Sequence, residues 1–290
     1  MISHVQCRSI LNRISQPDNW FGLWYNVNLY RGCSHRCVYC DSRSECYSIE
    51  NFDGEILVKA NAIELLSDRL PRLRVKGTIG TGSMNDPYQP LERKIGLTRR
   101  ALEVIAFNHF PVHVITKSDL VLRDIDILKE ISKVYSAVTF TITTVDNSIA
   151  SRIEPGAPSV EARFEAIREL SMNGIHVGIT LMPILPFITD SIDNLNALIE
   201  QASRCGVEYI IASFGVTLRD RQRDYFLRKV EKLFPGMGSK YSRQFGSSYL
   251  CRSSNAEQLE VVFTEKCHVQ GISTSMPVHD PLDTGQLSLF

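Results

Sequence analysis

The sequence predicts an α/β protein of six β-then-α units, a parallel sheet covered by helices, with a mostly helical C-terminal extension. Three observations predict it. Short β-rich runs alternate with segments whose apolar residues recur at three- and four-residue spacing. The strand-like runs are mostly apolar, as in parallel sheets buried on both faces. Two of the helix-like segments end in Gly174 and Gly206, where C-capping glycines stand.

The first strand is read in "WYNVNLY" (24–30), followed by the strands "VKGTIGTG" (75–82), "FPVHVITKS" (110–118), "AVTFTITTV" (137–145), "IHVGITLMP" (175–183) and "VEYIIASFG" (207–215). Helices are predicted over "LTRRALEVIAFNH", "LRDIDILKEISKV", "VEARFEAIRELSMNG" and "SIDNLNALIEQASRCG". Another helix is expected near 255–270. In such folds functional groups gather in the loops after the carboxyl ends of the strands. The organisation that follows is an N-terminal extension at 1–19, a six-unit core at 20–225, a C-terminal extension at 226–280 and a tail at 281–290. Residues 20–225 contain no linker, repeat array or low-complexity stretch.

The chain has 290 residues, enough for one large domain or two small ones. Its 43% hydrophobic and 22% charged residues are ordinary for a globular protein with a buried core. The formal net charge is zero, so attraction to nucleic acid requires a local patch. The N-terminus "MISHVQCRSILNRIS" has no continuous apolar run of the secretory kind, and no apolar stretch reaches membrane-spanning length. A cytoplasmic protein with no membrane partner is expected. The eight cysteines then read as free or metal-bound thiols rather than disulfides.

Four of those cysteines lie in "NLYRGCSHRCVYCDSRSECY", just after the first strand. Cys33, Cys37 and Cys40 are spaced Cys-x3-Cys-x2-Cys; Cys46 and His35 lie nearby. A structural zinc site wants four ligands, usually as two separated pairs, and no second Cys-x2-Cys pair occurs downstream. A thioredoxin-type pair at Cys37 and Cys40 would leave Cys33 unexplained. Thiolates also ligate iron–sulfur clusters, and three ligands on four irons leave one iron open.

The three-cysteine spacing, with Tyr39 before the last cysteine and six β/α units around it, resembles the radical S-adenosylmethionine (radical SAM) enzymes. "GTGSMNDPYQPLERKIGLTRRALE", "VITKSDLVLRDIDIL" and "ASRIEPGAPSVEARFEAIREL" resemble their spore-photoproduct-lyase-like, or DNA-repair-photolyase-like, branch. The resemblance runs from about residue 20 to 255. It implies a partial (β/α)6 TIM-like barrel. It also implies a [4Fe-4S] cluster on Cys33, Cys37 and Cys40, with S-adenosyl-L-methionine on the open iron and a 5′-deoxyadenosyl radical formed from it. Cys46 falls outside the ligand set, and His35 is expected to support the loop.

By the same resemblance, Lys117 would approach the cofactor carboxylate and Thr141 would hydrogen-bond the cofactor. The strand end Gly80, Thr81, Gly82 and Ser83 would lie near its amino group, since glycine lets a backbone come close. Tyr39 would pack over cluster or adenine. "RIEPGAP" would place Arg152 and Glu154 in a rigid loop at the barrel mouth, in contact with cofactor or substrate, the alternative being a salt bridge that stabilises the loop. Spore photoproduct lyase uses a cysteine hydrogen donor after its second strand. Ser83 stands near that position here, and a hydroxyl is a poor hydrogen-atom donor. Cys251 and Cys267 are the candidates to approach from the C-terminal region.

Residues 219–243 hold eight Lys or Arg against three acids, a local net of plus five, interleaved with Tyr225, Phe226, Phe234 and Tyr241. Such a segment suits a phosphate backbone with bases stacked on aromatics. The terminal Gln286, Leu287, Ser288, Leu289 and Phe290 match the pentapeptide with which bacterial polymerases and repair proteins dock on the sliding clamp. The expected activity is lyase-like radical chemistry on damaged or modified DNA bases. The expected partners are DNA, the clamp, and an electron donor such as ferredoxin or flavodoxin. The competing readings are radical chemistry on RNA, a peptide or a small molecule, and a non-enzymatic metal-binding adaptor.

Overall fold

The computed structural model describes residues 1–16, 20–49, 51–52 and 54–282. Six parallel strands run in chain order across one sheet: β1 (Tyr25–Val27), β2 (Ile79–Thr81), β3 (Val112–Thr116), β4 (Ser136–Thr141), β5 (His176–Leu181) and β6 (Tyr209–Ala212). Sequential parallel order requires a crossover between each pair, and helices supply it. These are α1 (Ala62–Arg69), α2 (Leu97–Phe107), α3 (Ile125–Ile131), α4 (Val160–Met172) and α5 (Ile192–Arg204). Ser159 and Ser191 cap α4 and α5 by accepting from the amides of Ala162 and Asn194.

Side chains alternate across the strands. Val112, Val114, Val138, Phe140, Val177 and Ile179 face the helices in the main apolar core. The alternate set faces inward and is more polar. There His113 Nε2 lies 2.6 Å from Thr139 Oγ1, which lies 2.5 Å from the Tyr209 hydroxyl. Phe21 stacks on His113 at 4.7 Å between ring centres. This inner set fills the base of a partial barrel.

The barrel is open, because β1 and β6 are not paired with each other. Leu11–Arg13 pairs antiparallel with β1 and covers one edge. Ser273 covers the other, accepting from the Ile210 amide at 2.8 Å and donating its own to Glu208 at 2.9 Å. Unpaired edges invite intermolecular pairing, so both are occupied within the chain.

Beyond the barrel, β7 (Gly215–Thr217) pairs antiparallel with β8 (Leu250–Arg252). Between them lie α6 (Asp220–Leu233) and α7 (Met237–Phe245), and α8 (Ala256–Val269) packs on α5. The expected boundary at 225 falls inside α6. The mostly helical extension thus carries one strand of an antiparallel pair whose other strand leaves the barrel. A small sheet of Ile2–Val5, Ile56–Lys59 and Tyr30–Arg31 was not foreseen from sequence. No helix among the described residues is long and apolar enough to cross a membrane.

The strands are shorter than the apolar runs that predict them. Residues such as Gly82, Lys117, Met182 and Pro183 leave the ladder yet stay half-buried. They are buried because they wall a cavity, not because they pair in the sheet.

Candidate active site

A cavity of about 430 Å³ opens where the carboxyl ends of the six strands meet. The loop after β1 brings Cys33, Cys37 and Cys40 to it. The other strand ends bring Gly82 to Asp86, Lys117, Thr141, Met182 with Pro183, and Ser213. Every unit of the barrel therefore contributes to one space, as the topology demands of a parallel α/β protein.

The cysteine loop has few backbone ladder bonds of its own and is held by other segments. Gln89 Oε1 accepts from the Ser34 amide at 3.0 Å, and Asn85 Nδ2 donates to the Tyr30 carbonyl at 2.8 Å. His35 Nδ1 lies 3.3 Å from Asp86 Oδ2, both side chains being buried. Asp86 also accepts from Thr116 Oγ1 at 2.6 Å and from the Lys117 amide at 2.7 Å. Burial alone would raise the Asp86 pKa, but His35 and these two donors bring it down to about 2. One carboxylate thus ties three strand ends together. Gly82 makes that close approach possible. Its φ is +95°, and a Cβ there would stand 2.2 Å from the Ile115 carbonyl oxygen.

On the other side, the Val38 amide donates to the Ile153 carbonyl at 2.9 Å, and the Gly156 amide to the His35 carbonyl at 3.0 Å. A Cβ at Gly156 would meet the Ser34 carbonyl oxygen at 2.2 Å, so the two backbones are in contact. "RIEPGAP" therefore backs the cysteine loop instead of fringing the cavity mouth.

Burial pushes the Cys33 thiol up to about 12 and raises those of Cys37 and Cys40 as well. Thiolates in this pocket require a positive partner, and a bound metal group would supply it and release the protons. Among the described residues lining the cavity, Lys117 is the one lysine or arginine. Burial opposes its charge, but Cys37, when it is a thiolate, and the Glu154 carboxylate hold its ammonium above the usual lysine value. Its Nζ stands 5.7 Å from the centre of the Tyr39 ring.

Of the residues expected from sequence, Cys33, Cys37, Cys40, Tyr39, Gly82, Ser83, Lys117 and Thr141 line the cavity. Gly80 and Thr81 lie within β2 and do not. Glu154 is buried behind Tyr39, accepting from its hydroxyl and pairing with Arg163. Arg163 Nη1 in turn donates to the Thr141 carbonyl at 3.0 Å. Arg152 turns away, with its guanidinium 5.6 Å from the centre of the Phe234 ring. The expectation that Arg152 and Glu154 sit at the mouth is corrected: one stacks outside and the other braces the wall. Ser83 Oγ accepts from Asn26 Nδ2 at 2.6 Å. Cys251 packs among Phe226, Val230 and Tyr241, and Cys267 lies in the main core; neither is among the described residues lining the cavity.

The basic segment also divides. Arg219, Arg221 and Arg223 bond internally, to Asp41 and to backbone carbonyls. Phe226 and Tyr241 are interior, which removes them as stacking surfaces. Lys229, Lys232 and Lys240 remain exposed. The pentapeptide from Gln286 to Phe290 lies outside the described residues.

Sequence reasoning missed Asp86, Gln89, Gly156 and Arg163. A signal existed for Arg163: it sits beside Phe164 and one turn from Val160, on the apolar stripe of α4, where a charge needs a partner.

The sequence pattern of the radical SAM superfamily matches residues 27–199. An uncharacterized protein of Mycobacterium tuberculosis is 29% identical over 244 residues, 82% of this chain and 71% of that protein. An uncharacterized protein of Methanocaldococcus jannaschii is 35% identical over 176 residues, 60% of this chain and 65% of that one. In fold, the chain is similar to spore photoproduct lyase complexed with dinucleoside spore photoproduct. The TM-score is 0.70 at 15% identity, covering 94% of this chain and 81% of that one. The chain belongs to the radical SAM superfamily, whose chemistry implies S-adenosylmethionine and a [4Fe-4S] cluster.

Proposed function

We propose that Cys33, Cys37 and Cys40 hold the cluster and leave one iron for S-adenosylmethionine, and that the substrate is a damaged or modified DNA base. One observation carries the first part: three thiols of a single loop, those of Cys33 and Cys37 buried and that of Cys40 half-buried, share one cavity with all six strand ends. When bound, that group supplies an electron to the sulfonium and so a 5′-deoxyadenosyl radical that removes a substrate hydrogen.

The chain's own residues bind and orient. The Lys117 ammonium offers a point charge to the cofactor carboxylate. The backbone at Gly82 and Ser83 allows close approach of the amino group, and Thr141 offers a hydroxyl. Tyr39 closes the wall behind them and keeps water from Glu154. The DNA reading is supported by the lysines of α6 and α7 and by the shared fold with an enzyme that binds a dinucleoside photoproduct. It includes capture by a sliding clamp through Gln286 to Phe290.

Anaerobic reconstitution tests the first part. About four irons per chain and release of 5′-deoxyadenosine are expected, with both lost in Cys40→Ala. Retention of iron by that variant would overturn the ligand set. Mass spectrometry of damaged oligonucleotides after turnover tests the second part. Unchanged DNA alongside cofactor cleavage would overturn the substrate.

A further inference from the structure

Four consecutive residues at the start of α6 grip the chain just after Cys40. Arg219 Nη2 donates to Asp41 Oδ2 at 2.5 Å. Asp220 accepts from Ser44 Oγ at 2.6 Å and from the Glu45 amide at 3.3 Å. Arg221 donates from Nε to the Arg43 carbonyl at 2.9 Å and from Nη2 to the Ile49 carbonyl at 2.7 Å. Gln222 Nε2 donates to the Tyr39 carbonyl at 3.3 Å and to the Thr217 carbonyl at 3.1 Å. Asp220 holds this grip with φ at +38°, a backbone state a non-glycine residue keeps only where its surroundings enforce it.

The grip reaches the cysteines through Arg43. Its side chain is buried, with the guanidinium 3.7 Å from the centre of the Tyr225 ring of α6 and 4.4 Å from that of Phe52. From that position Nε donates to the Cys37 carbonyl at 3.3 Å. A guanidinium between two rings has its plane set by them, so its donor direction is set too.

We propose that α6 is a latch on the cysteine loop, with Arg221 and Arg43 as its positioning residues. The C-terminal unit, and not the barrel alone, then keeps Cys37 and Cys40 facing the cavity. The latch gives the unit a role in cofactor retention, and this part of the inference rests on the ligand set proposed above. Charge-assisted bonds to a carbonyl contribute roughly 1.5–3 kcal/mol each. Opening of the loop therefore becomes roughly tenfold to hundredfold more frequent when one donor is removed, at 1.4 kcal/mol per tenfold.

The test uses the full chain, metal-free and reduced, with maleimide labelling followed cysteine by cysteine by mass spectrometry. In Arg221→Ala and Arg43→Ala, Cys37 and Cys40 are expected to label at least tenfold faster than in the parent protein. Cys205 and Cys267, in the barrel core, keep their rates. Unchanged rates at Cys37 and Cys40 in both variants overturn the latch, and so does a parallel rise at Cys205 and Cys267, which reports general loosening. Arg43→Lys, which keeps the charge but not the planar donor, is expected to label like Arg43→Ala; parental rates would overturn the stacking argument. In reconstituted protein the visible absorbance of the cluster is expected to bleach faster under a chelator in Arg221→Ala, and equal bleaching overturns the retention role. Failure of the parent protein to take up iron overturns the ligand set instead, while the labelling result still decides the latch.

Discussion

Arg163 Nη1 lies 2.6 Å from Glu154 Oε2, and neither side chain is more than 1% exposed. The pair stands behind Tyr39, whose hydroxyl donates to the same carboxylate. Removing one member leaves an uncompensated buried charge, which costs about 3–5 kcal/mol. Glu154→Ala should therefore lower the urea midpoint far more than Tyr39→Phe, which removes one hydrogen bond. Equal effects would show that the carboxylate is not ionised there.

The same carboxylate sets an acid limit. Burial would raise its pKa, but Arg163 and Lys117 bring it below the usual glutamate value. A depressed folded-state pKa adds stability above the unfolded value, near 4.3, and that stability is lost as pH falls through the folded one. Glu154→Gln, though less stable at neutral pH, should lose less below pH 4. Unfolding curves at pH 3, 4 and 7 check this.

His113 sets a second window, higher in pH. Burial lowers its pKa to about 3 from an ordinary value of 6.5. The unfolded chain binds the proton more readily, so stability is full above 6.5 and falls as pH drops towards 3. The slope approaches about 1.4 kcal/mol per pH unit. His113→Gln keeps a partner for Thr139 without titrating, and its stability should be flatter between pH 6 and 4.

Gly156→Ala places a methyl group against the Ser34 carbonyl. Overpacking of this kind costs roughly 1–3 kcal/mol. Gly174, where an added Cβ meets nothing within 4 Å but φ is +75°, provides the contrast. Both substitutions should lower the melting temperature, yet only Gly156→Ala should displace the cysteine loop and reduce iron retained per chain.

Lys117→Met should weaken S-adenosylmethionine binding by roughly tenfold to hundredfold, the equivalent of one charge-assisted bond of 1.5–3 kcal/mol. The cluster spectrum should be unaltered, because the lysine is not a ligand. Calorimetric titration of reconstituted protein measures the first, and absorbance the second. Parental affinity would remove Lys117 from the cofactor site.

The β/α alternation was legible because helix and strand periods differ and each unit repeats them. The cysteines were legible because their chemistry lies in one loop at fixed spacing. Asp86, Gln89 and Gly156 were not, since each acts by touching backbone far away in sequence, and no local pattern records that. Which charges of the run at 219–243 point inward was not legible for a related reason. An arginine bonded to distant carbonyls, like Arg221, is indistinguishable in sequence from an exposed one such as Arg243. Only the fold separates them.

The cysteine loop is fastened by residues from three later parts of the chain, with Glu154 lying 115 residues beyond Tyr39 and Arg219 lying 178 beyond Asp41. Contacts of such separation form slowly and late in folding. During synthesis Cys33, Cys37 and Cys40 leave the ribosome long before Gln222 exists to hold them. Until then they are part of an unfinished chain, reactive towards oxidants and stray metal ions. Maturation of this protein is consequently a matter of timing: the cysteine loop takes its final shape only in a chain whose later helices are already in place.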